Sequence, residues 1–363
     1  MTADDFAAAG LYDPHAPNAA ERLELLEWLA ERGATLEQMQ HAAREQSLIG
    51  LAGDLVLSAG QRSTIDEVAR RTGLPAERLY EHSLAVGLPL ERNARVLTDE
   101  HIQMYHFYSG GAALFGDQPL QRFLRIVGSS LARMAEAAVS LFYVNIEGPM
   151  RARGSTERAL AEASLRAIES ISGLQTMIHG LFRAHMEAAI LRFRQAQLGR
   201  SVDTAEMTVG FVDLVGFTSL SSRLSARELA AVVERFEQSA HDVVTRRGCR
   251  LVKLIGDEVM FVSLDAAAAC DAALALLEEF AGDSAVTPRG ALATGQLVIR
   301  GGDYYGPIVN LASRAAELAV PRELLVTEPV AAAAHSSALR FAPAGKRMLK
   351  GFDEPVALLT VER

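Results

Sequence analysis

The hydrophobic pattern of the chain changes near residue 205, and this change constrains the fold more than any other feature of the sequence. Before that point, apolar residues recur at three- and four-residue spacing with breaks at Gly, Pro or Ser, which is typical of helices. The predicted helices are 20–32, 36–58, 63–72, 75–86, 98–109, 119–146, 156–171 and 174–197. Beyond it, apolar runs typical of strands alternate with helical patterns. The sequence therefore predicts an all-helical N-terminal domain, 1–200, followed by an α+β domain, 201–363.

The second domain has a predicted element order that matches a known motif. Its strands are predicted at 206–213, 249–255, 258–264, 288–299 and 323–327, and its helices at 225–247, 265–280 and 307–319. The first six of these elements follow the order β-α-β-β-α-β. That order is the one found in ferredoxin-like domains, so we expect this fold for the second domain.

The last two helices of the first domain, 156–171 and 174–197, are rich in Ala and Arg and lead directly into the second domain. One interpretation makes them linker helices that transmit a conformational change or pair across a dimer. The other makes them ordinary helices of a packed bundle. The sequence favours neither.

Lysine is scarce in this chain, so each lysine calls for an explanation. Only three of the 36 basic residues are lysines. One of them, Lys253, lies in an apolar run that is followed by Gly256 and Asp257 and then by a second apolar run. This pattern predicts two short strands joined by a tight turn, with Asp257 at the tip of the turn.

A second carboxylate ends an earlier predicted strand. Asp213 follows the apolar run 208–212 and is itself followed by Leu214, Val215, Gly216, Phe217 and Thr218. Taken alone, Asp213 is most simply a turn former or a helix cap, and a lone lysine is most simply part of a solvated strand face. Two acids at adjacent strand ends, beside a glycine turn and an ammonium group, instead predict a site for metal-bound phosphate.

A third segment, 303–314, supplies further polar side chains. It begins with Asp303 and contains Asn310 and Arg314, which are four residues apart. If Pro307 opens a helix, Asn310 and Arg314 project from the same face of that helix.

These three segments resemble the class III adenylate and guanylate cyclases, from near Met207 to the C-terminus. The resemblance implies that Asp213 and Asp257 bind two Mg²⁺ or Mn²⁺ ions per active site, with the carbonyl of Leu214 as a further ligand. It also implies that Asn310 orients the ribose and that Arg314 stabilises charge on the phosphorus during transfer.

The resemblance further implies which base is used. Lys253 and Asp303 match the family residues that read adenine, whose amine donor and ring-nitrogen acceptors suit a carboxylate and an ammonium group. Guanylate members usually carry an acid and a small polar residue there, so ATP is the expected substrate. Gly216, Phe217 and Thr218 are expected beside the substrate. Lys350 matches, more loosely, a lysine that holds the terminal phosphates, and Lys346 has no assigned role.

Members of the family build each site from two chains. One subunit supplies the metal-binding acids, and the other supplies the base-reading residues with the Asn and the Arg. Because this chain has one copy of each, the resemblance implies a head-to-tail homodimer with two equivalent sites.

The first domain resembles, more weakly, the all-helical regulatory domains of actinobacterial adenylate cyclases, some of which respond to acid or to lipids. Seven of the nine histidines precede residue 200. Since histidine titrates near physiological pH, we expect a proton effector that acts through His179 and His185, with an apolar ligand as the alternative.

A second functional hypothesis comes from residues 63–86, which resemble a helix-turn-helix. The chain would then be a DNA-binding regulator with a degenerate cyclase module. The second helix of this pair is a poor match, because it presents Glu77, Arg78, Glu81 and His82, whereas phosphate contact needs positive charge.

The composition of the chain argues against several other classes of protein. The net charge of −9 argues against a nucleic-acid partner, and two cysteines offer no disulfide framework, which suits a reducing cytoplasm. The N-terminus lacks a signal-peptide pattern. The apolar run 137–146 is about half the ~20 residues that a transmembrane helix needs. We therefore expect a cytoplasmic protein without a transmembrane segment.

Overall fold

The computed structural model describes residues 1–196, 204–217, 222–281, 286–336 and 338–363, and it divides into two compact units, Met1–His185 and Met186–Arg363. The domain boundary predicted at 200/201 lies outside the described residues.

The described elements of the N-terminal unit are helical. They are α1 (Ala3–Ala8), α2 (Ala19–Glu31), α3 (Leu36–Arg44), α4 (Leu51–Leu57), α5 (Ile65–Thr72), α6 (Ala76–Ala85), α7 (Asp99–Phe115), α8 (Asp117–Phe142), a π-helical turn (Tyr143–Glu147), α9 (Gly148–Ala152) and α10 (Glu157–Ala196), which continues into the second unit. Capping residues set several of the helix starts. Thr35 and Thr64 each accept a hydrogen bond from the backbone N–H three residues on, and the side chains of Gln38 and Glu67 bond back.

Two helix predictions were wrong. The stretch 36–58 forms two helices because Gln46 adopts a left-handed conformation (φ 56°), and Ser47 N–H then donates to the Ala42 carbonyl over 2.8 Å, which closes α3. Conversely, the separate helices predicted at 156–171 and 174–197 are replaced by one helix, α10, over Glu157–Ala196. The Ser170 hydroxyl donates to the Ala167 carbonyl of the same helix over 2.6 Å, and Gly173 is accommodated without a break.

Three hydrophobic clusters lie in this unit. The largest surrounds Trp28 and Leu29 of α2 and includes Ala161 of α10. A second joins α5, α6 and α7 through residues such as Val68, Leu79 and Tyr105. The third joins α6, α7 and α8. At that junction the helices approach closely, because a Cβ atom placed on Gly128 would lie 2.3 Å from the Val86 carbonyl oxygen.

The second unit is built on one mixed sheet. Its strands are β1 (Thr204–Val215), β2 (Arg250–Ile255), β3 (Glu258–Ser263), β4 (Thr287–Arg300), β5 (Asp303–Tyr305), β6 (Leu324–Thr327), β7 (Arg340–Arg347) and β8 (Val356–Glu362). They follow the order β2-β3-β1-β4-β6-β8-β7, with β5 paired to β4. The helices are α11 (Ala226–Arg246), α12 (Ala266–Glu279), α13 (Pro307–Leu318) and α14 (Glu328–Ala333).

Helices cover both faces of the sheet, and the alternation along β1 explains why. Val212 and Leu214 pack in the cluster that contains Phe236 of α11 and Cys270 of α12. Val209 and Phe211 point to the other face and pack in the cluster that contains Ala312 and its neighbours on α13. The helical domain followed by a mixed α+β domain confirms the predicted fold class.

Sequence patterns missed β5, α14, β7 and β8. β7 is mostly exposed and contains Pro343 and a shift of register before Gly345, so it lacks the apolar alternation by which strands are recognised. β5 has only three residues, which is too short for a periodic pattern. Within the described ranges, none of the helices is long and apolar enough to cross a membrane.

One buried histidine makes the stability of the N-terminal unit depend on pH. His82 is 1% exposed, packs against the rings of Tyr105 and Tyr108, and has no hydrogen-bond partner for either ring nitrogen among the described residues. Burial, with a smaller contribution from Arg78, lowers the pKa of His82 to about 4, whereas Asp117 acts in the opposite direction. The folded state therefore favours the neutral imidazole.

We predict that His82 causes a loss of stability in acid. Because the pKa is lower in the folded state than the ~6.5 of an unfolded chain, its contribution is present above that value and is lost as pH falls toward about 4. Denaturant unfolding followed by the fluorescence of Trp28, the single tryptophan, should show a shallower acid dependence for His82→Phe than for wild type. His106→Phe, at an exposed position of α7, should keep the wild-type slope. Equal slopes for all three proteins would contradict this assignment.

Candidate active site

Asp213 and Asp257 lie at one edge of the sheet. Asp213 is near the end of β1, and Asp257 is in the turn between β2 and β3, where Gly256 adopts a left-handed conformation (φ 65°). The backbone N–H of Leu214 donates to the carbonyl of Asp257 over 3.2 Å. This bond joins the turn to the end of β1, so the two carboxylates that the sequence predicted as partners are neighbours.

An arginine that the sequence analysis did not name contacts Asp213. Arg289 lies directly opposite Asp213 in the antiparallel pairing of β1 and β4. Its Nε donates to Oδ1 of Asp213 over 2.8 Å, and its Nη2 donates to Oδ2 over 3.0 Å. The signal for this contact was a charged residue in the otherwise apolar start of a predicted strand, but only the pairing of β4 with β1 identifies its partner.

Burial and mutual repulsion perturb the acids of this edge. Burial raises the pKa of Asp257, the charge of Asp213 adds to the increase, and Arg289 opposes it. Burial also raises the pKa of Glu258 to about 7, with further contributions from the negative charges of Asp213, Asp257 and Glu317. Proximity of this kind costs free energy unless a cation is present.

The oxygen atoms at this edge fit a divalent cation whose remaining coordination positions are filled by other ligands. Carboxylate and carbonyl oxygens are the ligands that Mg²⁺ prefers, and Mg²⁺ usually keeps several positions for water and phosphate. Asp213, Asp257 and the Leu214 carbonyl match that donor set. Within the described part of the chain, no group of three or more His, Cys, Asp or Glu residues is arranged to hold a metal by itself.

Lys253 and Asp303 form an ion pair. Nζ of Lys253 donates to Oδ2 of Asp303 over 2.6 Å, and the Tyr304 backbone N–H donates to Oδ1 over 2.8 Å. Burial acts to raise the pKa of Asp303, but the hydrogen bond from Lys253 and the other contacts outweigh it and lower the pKa. Arg250 supports the same loop by donating to the Gly302 carbonyl over 2.9 Å. The structure thus brings together the two residues predicted to read the base.

Asn310 and Arg314 lie on α13, which begins at Pro307 as predicted. Asn310 is exposed, and Arg314 forms an ion pair with Glu317 of the same helix. Among the contacts of the described residues, none joins Asn310 or Arg314 to Asp213 or Asp257. The described contacts link Arg314 to Asp213 only indirectly, through Glu317 and Arg289.

The other residues predicted beside the substrate are exposed or half-buried where the structure describes them. Lys350 is exposed and follows the buried Leu349. Gly216 is exposed after β1, and Phe217 is half-buried against the sheet. Thr218 lies outside the described residues.

Comparisons with known proteins identify the family of both domains. Residues 4–190 match the model of the adenylate cyclase regulatory domain, and residues 200–284 match that of the adenylate and guanylate cyclase catalytic domain. An uncharacterized protein of Mycobacterium tuberculosis is 32% identical over 97% of this chain and 92% of its own length. A pH-sensitive adenylate cyclase of the same species is 32% identical over 95% and 88%. An adenylate cyclase of Streptomyces coelicolor is 32% identical over 75% and 71%.

The comparisons do not support the DNA-binding alternative. The helices α5 and α6 form the predicted pair, with Gly73 in a left-handed conformation between them, but the regulatory-domain match spans this pair. Arg78, on the would-be recognition helix, forms an ion pair with Asp117. Both matched domains and the relatives that cover nearly the whole chain lead to one conclusion: this protein belongs to the class III adenylate cyclases that carry an all-helical regulatory domain before the catalytic domain.

Proposed function

We propose that this adenylate cyclase converts ATP to 3′,5′-cyclic AMP and pyrophosphate at two sites that lie between two copies of the chain. The observation that carries the proposal is that, among the described contacts, none joins Asn310 or Arg314 directly to Asp213 or Asp257 of the same chain. Asp213 and Asp257 are neighbours, and Arg314 has its described ion pair with Glu317 on its own helix. A second copy in head-to-tail orientation would bring Asn310 and Arg314 to the acids.

In this proposal Asp213 and Asp257 hold two Mg²⁺ or Mn²⁺ ions, with the Leu214 carbonyl as a further ligand. When bound, the ions supply Lewis acidity that lowers the pKa of the ribose 3′-hydroxyl and neutralises the departing pyrophosphate. The two carboxylates provide hard oxygen ligands, and their repulsion at this edge explains why a cation is favoured there.

The partner chain supplies the groups that orient the nucleotide. Lys253 and Asp303 offer one donor and one acceptor to the edge of adenine, and their ion pair holds both side chains in place before the base binds. Asn310 orients the ribose. The guanidinium of Arg314 stabilises charge that develops on the phosphate oxygens, and Lys350 holds the terminal phosphates. Gly216, Phe217 and Thr218, which follow Asp213 on the chain that supplies the acids, lie beside the substrate in this proposal.

Shared sites predict complementation between inactive chains. Asp213→Ala and Arg314→Ala should each reduce turnover by a factor of at least ~10². In a mixed dimer both defects fall in one site and the other site is intact, so a mixture of the two variants should recover about a quarter of wild-type activity. The measurement is cyclic AMP formation after co-expression or subunit exchange.

The matched control is a mixture of Asp213→Ala with Asp257→Ala. These substitutions affect the same half of each site, so every dimer has two damaged sites and activity should stay absent. Recovery in the control, or no recovery in the test mixture despite demonstrated subunit exchange, would argue against shared sites.

If Lys253 and Asp303 recognise adenine, their replacement should selectively reduce the use of ATP. Replacing Lys253 with Glu and Asp303 with Cys removes the donor and the acceptor that match adenine, so ATP turnover should fall much more than GTP turnover. Lys346→Glu makes a similar charge change on β7 and should leave the ratio of the two activities unaltered. An unchanged preference for ATP in the double variant would mean that other residues read the base.

The N-terminal domain is the regulator in this proposal, and protons are its effector. One relative is named a pH-sensitive adenylate cyclase, and most histidines of this chain lie in the N-terminal half. His179 and His185 are exposed on α10, the helix that leads into the catalytic domain. Protonation there would add positive charge to a surface that two copies or two helices bring together. A lipid between the N-terminal helices is the alternative effector.

Proton regulation predicts an acid-activated enzyme. From about pH 8 to about pH 5.5, wild-type activity should rise, and the double variant His179→Gln, His185→Gln should lose most of that rise. His241→Gln, at an exposed position of α11 in the catalytic domain, serves as the matched control and should keep it. Identical pH profiles for all three proteins would exclude these two histidines as the sensor.

A further inference from the structure

We infer that Arg289 neutralises the charge of Asp213 when the site is empty, so that a divalent cation binds well only together with the nucleotide. This inference rests on the metal-binding role of Asp213 in the proposed function. It adds a residue and an order of binding that the sequence pattern did not contain.

The geometry gives Arg289 a full set of partners. Two of its nitrogens donate to the two carboxylate oxygens of Asp213 over 2.8 and 3.0 Å. Its Nη1 donates to the main-chain carbonyls of Glu317 and Ala319 over 2.8 and 3.0 Å. The side chains of Arg289 and Asp213 are only 23% and 18% exposed. The guanidinium is therefore held in one orientation, and a bidentate pair of this kind is among the stronger ion pairs in proteins.

The same contacts connect two parts of the proposed machinery. The Glu317 carbonyl that Arg289 contacts belongs to the end of α13, and the Glu317 side chain accepts a hydrogen bond from Arg314. Arg289 thus lies between the acid on β1 and the helix that carries the arginine proposed to act on the phosphate. Its own pKa is raised by the hydrogen bond to Asp213, so it stays charged.

Two effects of Arg289 on cation binding oppose each other. Its positive charge repels a divalent ion at Asp213, and its hydrogen bonds orient the Asp213 carboxylate. The backbone at Asp213 is already held by strand pairing on both sides, opposite Glu258 of β3 and Arg289 of β4. An aspartate has only two side-chain torsions to order, so the charge effect is the larger one.

A bound nucleotide would make the binding of a divalent ion favourable despite the positive charge of Arg289. The triphosphate carries several negative charges, which attract both the guanidinium and the divalent ions. Without these charges, Arg289 already compensates Asp213, and a lone divalent ion gains little. Arg289 therefore disfavours metal loading before substrate arrives.

The test measures Mn²⁺ retained by the full-length protein without nucleotide, by electron paramagnetic resonance of the free ion. Arg289→Gln should bind Mn²⁺ at least about tenfold more tightly than wild type, because a repelling charge close to the site is removed. Arg289→Met keeps the aliphatic part of the side chain and should show the same increase in Mn²⁺ affinity. It replaces Arg289→Gln in the experiment if that variant does not fold. Arg289→Lys keeps the charge and should stay close to wild type.

Arg247→Gln is the matched control. Arg247 also donates to a carboxylate, that of Asp271 over 2.7 Å, and it is 29% exposed, but it lies outside the proposed site. It should bind Mn²⁺ as wild type does. A variant at Arg289 that folds and binds Mn²⁺ no more tightly than wild type would overturn the inference and leave Arg289 with an orienting role only.

A second experiment distinguishes a failure of this inference from a failure of the proposed function. With a non-hydrolysable ATP analogue, wild type should retain Mn²⁺ and Asp257→Asn should not. Retention by wild type only with the analogue, combined with the gain in Arg289→Gln, supports the inference. No retention by wild type in either condition would overturn the metal assignment and the inference together.

Discussion

The antiparallel pairing of β1 with β4 is the interaction on which the catalytic unit depends. The two strands pair from Thr204 opposite Val298 to Val215 opposite Thr287. This register places Asp213 opposite Arg289. A separate pairing of β4 with β5 places Asp303 opposite Arg300 at the far end of β4. A slip of one residue would move the apolar residues of β1 to the wrong faces and remove Asp213 from its partner. Burial of both faces therefore selects the register that also builds the site.

Charge at the edge of this sheet fits the proposed cation site, although the described residues contain no group of three or more acidic, His or Cys ligands. Asp213, Asp257 and Glu258 lie close together, and Arg289 is the cation that influences all three. The pKa of Glu258 rises to about 7 because burial and its neighbours disfavour a further negative charge. Such an edge is only partly neutralised by the protein. Divalent ions that are also bound by a polyphosphate can supply the remaining positive charge, which matches the chemistry of a nucleotide cyclase.

The histidines of the N-terminal domain fall into two groups with different physical consequences. His82 is buried among aromatic rings, and its depressed pKa ties folding to the neutral form. His179 and His185 are exposed to solvent on α10. The buried histidine is the one predicted to make stability sensitive to acid, and the two exposed histidines are those proposed for regulation. Sequence patterns alone could not separate them, since burial depends on how α6, α7 and α8 pack.

The sequence by itself determined the local features of this protein. The order of the first six elements of the second domain, the glycine turn that carries Asp257 and the helix start at Pro307 followed from short-range signals, and so did the family resemblance. Tertiary structure alone decided the pairing of Lys253 with Asp303, of Arg289 with Asp213, and the burial of His82. It also joined Glu157–Ala196 into one helix and formed β7 without a periodic pattern. The physical reason is that sheet register and packing join residues far apart in sequence, and no short-range signal contains their partners.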